Sequence, residues 1–372
     1  MEVGWDEVAA RRLARSSLSD RTSGDRLVEV VSTVCGVHAQ VQASAELQLA
    51  ARVEGIEQAG VRAALWEQRS LVKAWTIRGT LHLHPAEELS LWYAARRAVA
   101  GEADRGLPSW RDPAGAVHPV LEAEEVEAIR AVVWEVLDGR CLLREELAKE
   151  VVKRVGAAPR ERLRSGFAFF LGELCQGPPQ GSRITLVRPD QWIDGWRGVD
   201  DDAEALREVC RRFLRAYGPA TRTELAAWAG ISPTHARALL AEIEDEVEGV
   251  DLAGRQALIL AADSDRLASP PAASGVRLLG GYDAYLDQRD RETLLPDRDL
   301  RKRVRRPLGN PGVVLVDGQL AGLWRPEKKG KRLVVNIEPI TPAARRAADG
   351  AEAEASVVAA HRGCETAEIA WV

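Results

Sequence analysis

The chain has 372 residues, 46% of them hydrophobic and 29% charged, a composition that excludes wholesale disorder and fibrous repeats and predicts several compact units rather than one core. Fifty-one basic side chains against 56 acidic ones leave a net charge of −5, so a uniformly basic nucleic-acid binder is excluded and local charge segregation carries the information. No stretch approaches the ~20 apolar residues of a membrane span, and the amino-terminal MEVGWDEVAARRLARSS is polar; neither a membrane protein nor a Sec-type secreted one is expected.

Short helices open the chain. Asp25 can cap a helix with Leu27, Val30, Val31 and Val34 on one face, which Gly36 ends. An extended piece, HAQVQAS, follows, and Ser44 opens a helix with Leu47, Ala50 and Ala51 inward. SLVKAWTIRGTLHLH alternates in places as strands do, and Pro85 suits the first turn of PAEELSLWYAARRAV. These form one α+β unit, residues 1–119.

From Glu122 the pattern changes to three helices and a two-stranded wing. Val126, Ile129, Val132, Val133, Val136 and Leu137 make one stripe, LLREELAKEVVKRVG a second helix, and Leu163, Phe167, Phe170, Leu171 and Leu174 a third. GPPQGS then turns into RITLV, closing a unit at 120–200. The order recurs in 201–268: Thr221 and Glu224 form a capping box, Gly230 sits in the turn, and Ser232-Pro233 opens a helix with Ala236, Leu239, Leu240 and Ile243 inward. A hairpin from EVEGVDLAGRQALIL completes the form of a winged helix-turn-helix. Beyond the linker ADSDRLASPPAASG, residues 269–372 read as β-rich, with VVLVDGQLAGLW a hairpin around Asp317-Gly318 and RLVVNIEPI another strand. The last ~30 residues read as a helix packed on the exterior. The predicted class is α+β, predominantly helical.

The basic residues number 44 Arg and only 7 Lys, a skew toward the side chain that grips phosphate bidentately, although high-GC codon usage produces the same skew. Residues 289–306 carry eight basic and four acidic side chains, with Arg301, Lys302, Arg303, Arg305 and Arg306 nearly contiguous. A second basic run, Arg325 to Arg332, falls at a hairpin tip. Such segments neutralise phosphates and release counterions, or are solvated loops without a partner. The second helix of this helix-turn-helix is a poor groove reader, because it runs into Glu242, Glu244, Asp245, Glu246 and Glu248; a non-catalytic winged-helix regulator, the alternative reading, needs basic and amide side chains there.

Gln40 and Gln42 are the most chemically suggestive pair. In an extended segment both amides project together while Ala39, Val41 and Ala43 face inward, and two carboxamides on one spot can hold a water. His82 and His84 share a strand face but lack a third ligand nearby in sequence, so no metal site is expected and both read as surface or cleft histidines. Five cysteines, Cys35, Cys141, Cys175, Cys210 and Cys364, are scattered without a C-x-x-C, which predicts no disulfide framework and a cytoplasmic setting. The chain lacks a P-loop, a dinucleotide fingerprint, G-x-S-x-G and H-E-x-x-H, and no cofactor is expected.

Several segments together resemble the AlkZ/YcaQ-like family of winged-helix DNA glycosylases: Arg-Gly-Thr-Leu-His at 78–82, HAQVQ at 38–42, LLGGYDAYLDQRDRETLLPD at 278–297, the repeated winged helices and the VVLVDGQLAGLW hairpin. The resemblance implies tandem winged helices in a C-shaped body around a basic channel, with Gln40-Val41-Gln42 matching the family's Gln-apolar-Gln motif. It implies hydrolysis of the N-glycosidic bond of alkylated purines, N7-guanine interstrand crosslinks included, as self-resistance to a genotoxic natural product. Duplex DNA carrying such lesions is then the partner of a monomeric, monofunctional enzyme. Under this reading Gln40 and Gln42 are catalytic, His38 is a channel contact, and Arg289, Arg291, Arg301, Lys302, Arg303, Arg305 and Arg306 hold the backbone from loops or hairpins. A cationic N7 adduct leaves as a neutral base and needs no general acid, and a shallow, open cleft suits a crosslinked base that cannot rotate freely. No aromatic stacking motif stands around residues 38–44, which fits such a cleft.

Overall fold

The computed structural model describes residues 1–100, 107–112, 114–165, 173–287, 291–295, 297–304 and 309–372. The fold is α+β with helices predominating, and the chain divides into two compact units, residues 1–62 with 210–372, and residues 63–209.

The larger unit is organised by a five-stranded sheet in the order Val276–Leu279, Gly312–Val316, Gln319–Lys329, Arg332–Pro339, Thr366–Trp371. The first four strands are antiparallel neighbours, and the hairpin around Asp317-Gly318 turns with both residues at positive φ, 49° and 76°, as a two-residue type I′ loop requires. The last strand pairs parallel to Arg332–Pro339. A parallel neighbour cannot be reached by a hairpin, so the helix Ala348–His361 serves as the crossover. This corrects the expectation of a terminal helix on the exterior. Ala351, Ala355, Val358 and Ala359 are buried against Leu333, Val335, Ile337 and Trp324 of the sheet, and small alanines let the helix approach closely. Gly312 makes room for Trp324, whose indole N–H donates to the Leu279 carbonyl at 2.8 Å; a Cβ at Gly312 would overlap the ring.

The same unit holds the helix-turn-helix. Thr221 and Ser232 cap Arg222–Ala229 and Pro233–Ala241 through their side chains, Gly230 turns the chain in the left-handed region, and Ala236, Leu239 and Leu240 are buried. The hairpin Val247–Leu252 with Arg255–Leu260 follows in register, and Glu246 of the acidic run pairs with Arg211 at 2.8 Å.

In the smaller unit the hairpin Leu71–Trp75 with Leu81–Pro85 joins the strand Cys175–Gln180 through Ala74, and Arg183–Val187 and Leu142–Leu143 continue the sheet. Helices Ala123–Val136 and Arg144–Val155 pack Val126, Ile129, Val133, Leu147 and Val151 over it. Of the predicted third helix, Phe167, Phe170 and Leu171 lie outside the described residues, while Leu163 belongs to the short helix Arg160–Arg164. His82 and His84 are not surface histidines: both are fully buried, with His82 Nδ1 2.9 Å from the Thr80 carbonyl and His84 Nε2 3.0 Å from the Thr76 hydroxyl. The strands are buried along their length, and one nitrogen of each ring finds a local oxygen partner there.

Candidate functional site

The helix Leu27–Thr33 ends in two successive left-handed residues, Cys35 at φ 58° and Gly36 at φ 89°, which turn the chain into the two-residue strand Val37–His38. The extended piece stops there, not at residue 44. Val41 is already the N-cap of the helix Gln42–Ala50, and Gln42 is its first residue. This changes the facing of the motif. Ala39 is fully buried and Gln40 is exposed as expected, but Val41 is 43% exposed and Ala43 is exposed rather than inward. Gln40 therefore stands on an open bend and Gln42, half-buried, on the first helical turn. Helical geometry places Gln42 over Glu46, one turn on.

Ser44, expected to open the helix, lies inside it and has another use. Its hydroxyl donates to the Gly281 carbonyl, tying the helix to the segment Gly280-Gly281-Tyr282-Asp283. That approach is tight, since a Cβ on Gly280 would sit 3.3 Å from Leu47 Cβ. Tyr282, at φ 66°, lays its ring on His38 with centroids 5.1 Å apart and planes 24° from parallel, so the motif does have an aromatic neighbour, supplied from 240 residues downstream. Asp283 and Arg52, both buried, form a two-point ion pair at 2.7 and 2.8 Å, and Arg52 also donates to the Gln48 carbonyl at 2.9 Å. Gln48, completely buried, donates from Nε2 to the His38 carbonyl at 3.0 Å. The helix bearing the motif is thus pinned at both ends, and Leu47 seats its middle in the core of the five-stranded sheet.

Beneath the glutamines lies a charged cluster that spacing alone did not reveal. Glu46 is completely buried, its Oε1 3.1 Å from Arg62 Nε and 3.4 Å from Gln42 Nε2. His361, at the end of the crossover helix, is also buried; a carbonyl only accepts, so the 2.8 Å contact to the Ile56 carbonyl puts the ring proton on Nδ1. Burial pushes His361 below the ordinary histidine pKa, with Glu46 acting in the opposite sense, and the ring is neutral near pH 7. A signal for Glu46 was present: it is the lone charge in ASAELQLA and sits four residues after Gln42. Tyr282 and Asp283 stood in the family-like segment 278–297, but nothing in the sequence paired them with His38 and Arg52.

The basic residues are arranged differently. Arg289, Arg305 and Arg306 lie outside the described residues, as does the side chain of Arg291, which begins the short helix Arg291–Leu294. Arg301, Lys302 and Arg303 stand on a helix, Arg298–Val304, rather than on a loop or hairpin. Leu300 and Val304 anchor it in a cluster that includes Ala51, at the far end of the motif helix from the glutamines. Arg301 donates to the Leu295 carbonyl, Lys302 to Asp299 at 2.7 Å, and Arg303 to Glu338 at 3.0 Å. Arg303 holds the Glu338 carboxyl below the usual carboxylate range. In the second basic run Lys328 donates to the Arg362 carbonyl, and Lys331 and Arg332 pair with Glu365 and Glu368.

Among the described residues no group of three or more His, Cys, Asp or Glu side chains is placed to hold a metal, and no helix is long and apolar enough to cross a membrane. Chemically the motif offers two neutral carboxamides on a rigid, solvent-facing mount. Such groups orient a water and stabilise positive charge, and they do not exchange protons near pH 7.

Comparison with known proteins shows what the chain as a whole is similar to. Residues 31–361 match the family model described as DNA glycosylase AlkZ-like. The chain is 34% identical over 358 residues to a Streptomyces sahachiroi protein named interstrand DNA cross-link repair glycosylase, covering 92% of each. The solved structure of Streptomyces sahachiroi DNA glycosylase AlkZ superposes with a TM-score of 0.84 at 31% identity, with all of both chains covered.

Proposed function

The chain belongs to the AlkZ-like family of DNA glycosylases, and from that premise we propose that it hydrolyses the N-glycosidic bond of cationic N7-alkylated purines in duplex DNA, interstrand crosslinks included. The observation that carries this reading is the mounting of Gln40 and Gln42: one amide exposed on a bend, the other half-buried on the first turn of a helix braced by the buried Arg52–Asp283 pair. N7 alkylation places a positive charge on the base. When the C1′–N9 bond breaks, its electron pair neutralises that charge, and the base leaves without a proton from the protein. What remains is a sugar with oxocarbenium character and the delivery of water to C1′. Amide oxygens serve both needs, accepting a hydrogen bond from the water and turning the negative end of their dipole to the cation. Water's second proton goes to solvent, leaving an abasic site. Neutral lesions that require a general acid should be poor substrates.

Exposure of Gln40 and Val41 supports the crosslink part of the reading, since a base tethered to the opposite strand cannot be swung through a closed pocket. His38, held under Tyr282, is a contact to the DNA beside the lesion, and the helix Arg298–Val304 supplies phosphate contacts. The enzyme works as a monomer without a cofactor, and protects its host from a DNA-alkylating natural product. The test is to incubate the purified protein with duplexes carrying N7-methylguanine or an N7-linked interstrand crosslink and to score abasic sites by alkaline cleavage. Tight duplex binding without release from either would favour a non-catalytic DNA-binding role instead.

A further inference from the structure

The geometry points to Glu46 as the residue that decides which end of the Gln42 amide faces the substrate; this rests on the placement of Gln42 at the reaction centre. A carboxamide is nearly symmetric in shape and opposite in polarity at its two ends, with two donors on nitrogen and an acceptor on oxygen. Packing alone does not choose between them. A carboxylate offers only lone pairs, so the one arrangement that Glu46 stabilises turns the Gln42 nitrogen toward it and leaves the carbonyl oxygen for another partner. The 3.4 Å contact from Gln42 Nε2 to Glu46 Oε1 is that arrangement.

The carbonyl end is the useful one. It accepts a hydrogen bond from the attacking water, leaving the water's lone pair for C1′, and presents partial negative charge to the sugar. The reversed amide would donate to the water and occupy its nucleophilic lone pair. There is a second reason for a carboxylate here. The amino end of a helix carries about half a positive charge, the wrong sign beside a developing cation, and Glu46 lies one turn inside that end. Arg62 supplies the counter-charge that a buried carboxylate requires. Glu46 Oε2 is buried with no hydrogen-bond partner among the described residues, so the group is held for its orientation and charge rather than for a saturated network. Glu46 is a positioning residue, acting through Gln42.

The test compares single-turnover base release and lesion-duplex affinity in wild type, Glu46→Gln, Gln42→Ala and the double variant. Glu46→Gln keeps the shape, and Arg62, 56% exposed, can turn to water. Losing one charged hydrogen bond should slow release about 10- to 100-fold with duplex affinity unchanged. The double variant should be no slower than Gln42→Ala alone, because a residue acting only through Gln42 has nothing to orient once it is gone. Should Glu46→Gln fail to fold, Glu46→Met fills the same space without a buried charge and should show the same loss. Wild-type release by Glu46→Gln beside a slow Gln42→Ala overturns this inference and leaves the proposed function standing. The same fold-loss in both backgrounds also overturns it, since Glu46 would then act independently. Wild-type release by Gln42→Ala and Gln40→Ala removes the reading of the motif itself.

A different observation carries a second inference. A cavity of about 420 Å³ opens between the helices Trp5–Arg15 and Leu27–Thr33 and residues 263–271, with Arg11, Arg15, Arg26 and Arg266 facing Glu29 and Asp263. Two of the four guanidiniums are committed. Arg11 donates to the Gly218 and Arg215 carbonyls and to Asp263, and Arg26 pairs with Glu29. Arg15 has a buried Nε with no hydrogen-bond partner among the described residues, and Arg266 reaches Asp263 only at 3.9 Å. We infer that Arg15 and Arg266 bind a phosphate-type anion in this cavity, either a backbone phosphate of DNA or a free nucleotide. The probes are an undamaged labelled duplex, titrated across salt concentrations, and AMP, followed by calorimetry. If DNA supplies the anion, Arg15→Ala with Arg266→Ala weakens duplex binding and lowers the salt slope by about 1 to 2. If a nucleotide does, the variant loses AMP binding at an unchanged slope. Unchanged slope and unchanged AMP titration overturn the inference.

Discussion

The motif helix Gln42–Ala50 and the basic helix Arg298–Val304 both carry polar side chains proposed to meet DNA, and they are held in opposite ways. Behind Gln40 and Gln42 the supporting charges, Arg52, Asp283 and Glu46, are buried and locked. On the basic helix Lys302 is exposed and pairs with exposed Asp299, and half-buried Arg303 pairs with half-buried Glu338. Surface pairs of that kind are worth about 0–1 kcal/mol, so a phosphate can replace the carboxylate at little cost. A buried pair that loses one partner costs about 3–5 kcal/mol, because the other charge is stranded. Rigidity thus falls where a water is proposed to be placed, and exchangeable charge where a backbone is proposed to be tracked.

Breaking the rigid side should give the larger effects. Gln40→Ala with Gln42→Ala should lower single-turnover base release by at least ~10³-fold while changing duplex affinity little, since one preorganised charge-stabilising group is typically worth about 10² to 10³. Asp283→Ala should destabilise the larger unit by about 3–5 kcal/mol, read in urea unfolding. A loss under 1 kcal/mol would show that the pair is not what braces the motif.

The exchangeable side should respond more gently and in another observable. Arg303→Ala should weaken binding of every duplex alike, damaged or not, and reduce the salt slope by about 1, with base release at saturating DNA affected far less than in the glutamine variants. A sequence-dependent loss would mean that Arg303 reads bases. The smallest expected effect is a pH dependence of stability. Burial holds the folded His361 pKa below its ordinary value, so the unfolded chain takes up this proton first as pH falls. Its contribution is complete above about pH 6.5 and is lost as pH falls toward the lowered folded pKa. The urea midpoint should therefore drop more between pH 7.5 and 5.5 in wild type than in His361→Gln, and equal drops would place the sensitivity elsewhere.

Local chemistry was legible in the sequence wherever one short segment contained all of it. Thr221 with Glu224 and Ser232 with Pro233 announce their helix starts, and Asp317-Gly318 its hairpin. Gln40-Val41-Gln42 was visible as a motif, but its facing was not, because the early start of the helix at Gln42 turns Val41 and Ala43 outward. The brace was illegible for a simpler reason. Tyr282 and Asp283 reach His38 and Arg52 across more than 200 residues, a contact that no local period records. The final strand Thr366–Trp371 escaped notice for the same cause, since its partner is a parallel neighbour across a crossover helix, and the alanine-rich composition of that helix reads as an outer one. Charge counting misled in one respect. A local excess of basic residues says nothing of the carboxylates, such as Glu338, Glu365 and Glu368, that distant strands bring alongside.

The most direct measurement is base release from two duplexes under single-turnover conditions, one with N7-methylguanine and one with an N7-linked interstrand crosslink, each with wild type and the Gln40→Ala, Gln42→Ala variant. Release from both by the wild type, with abasic sites revealed by alkali and lost in the variant, is the predicted result. Release that persists at the wild-type rate in the variant would contradict the assignment of the two glutamines to the reaction.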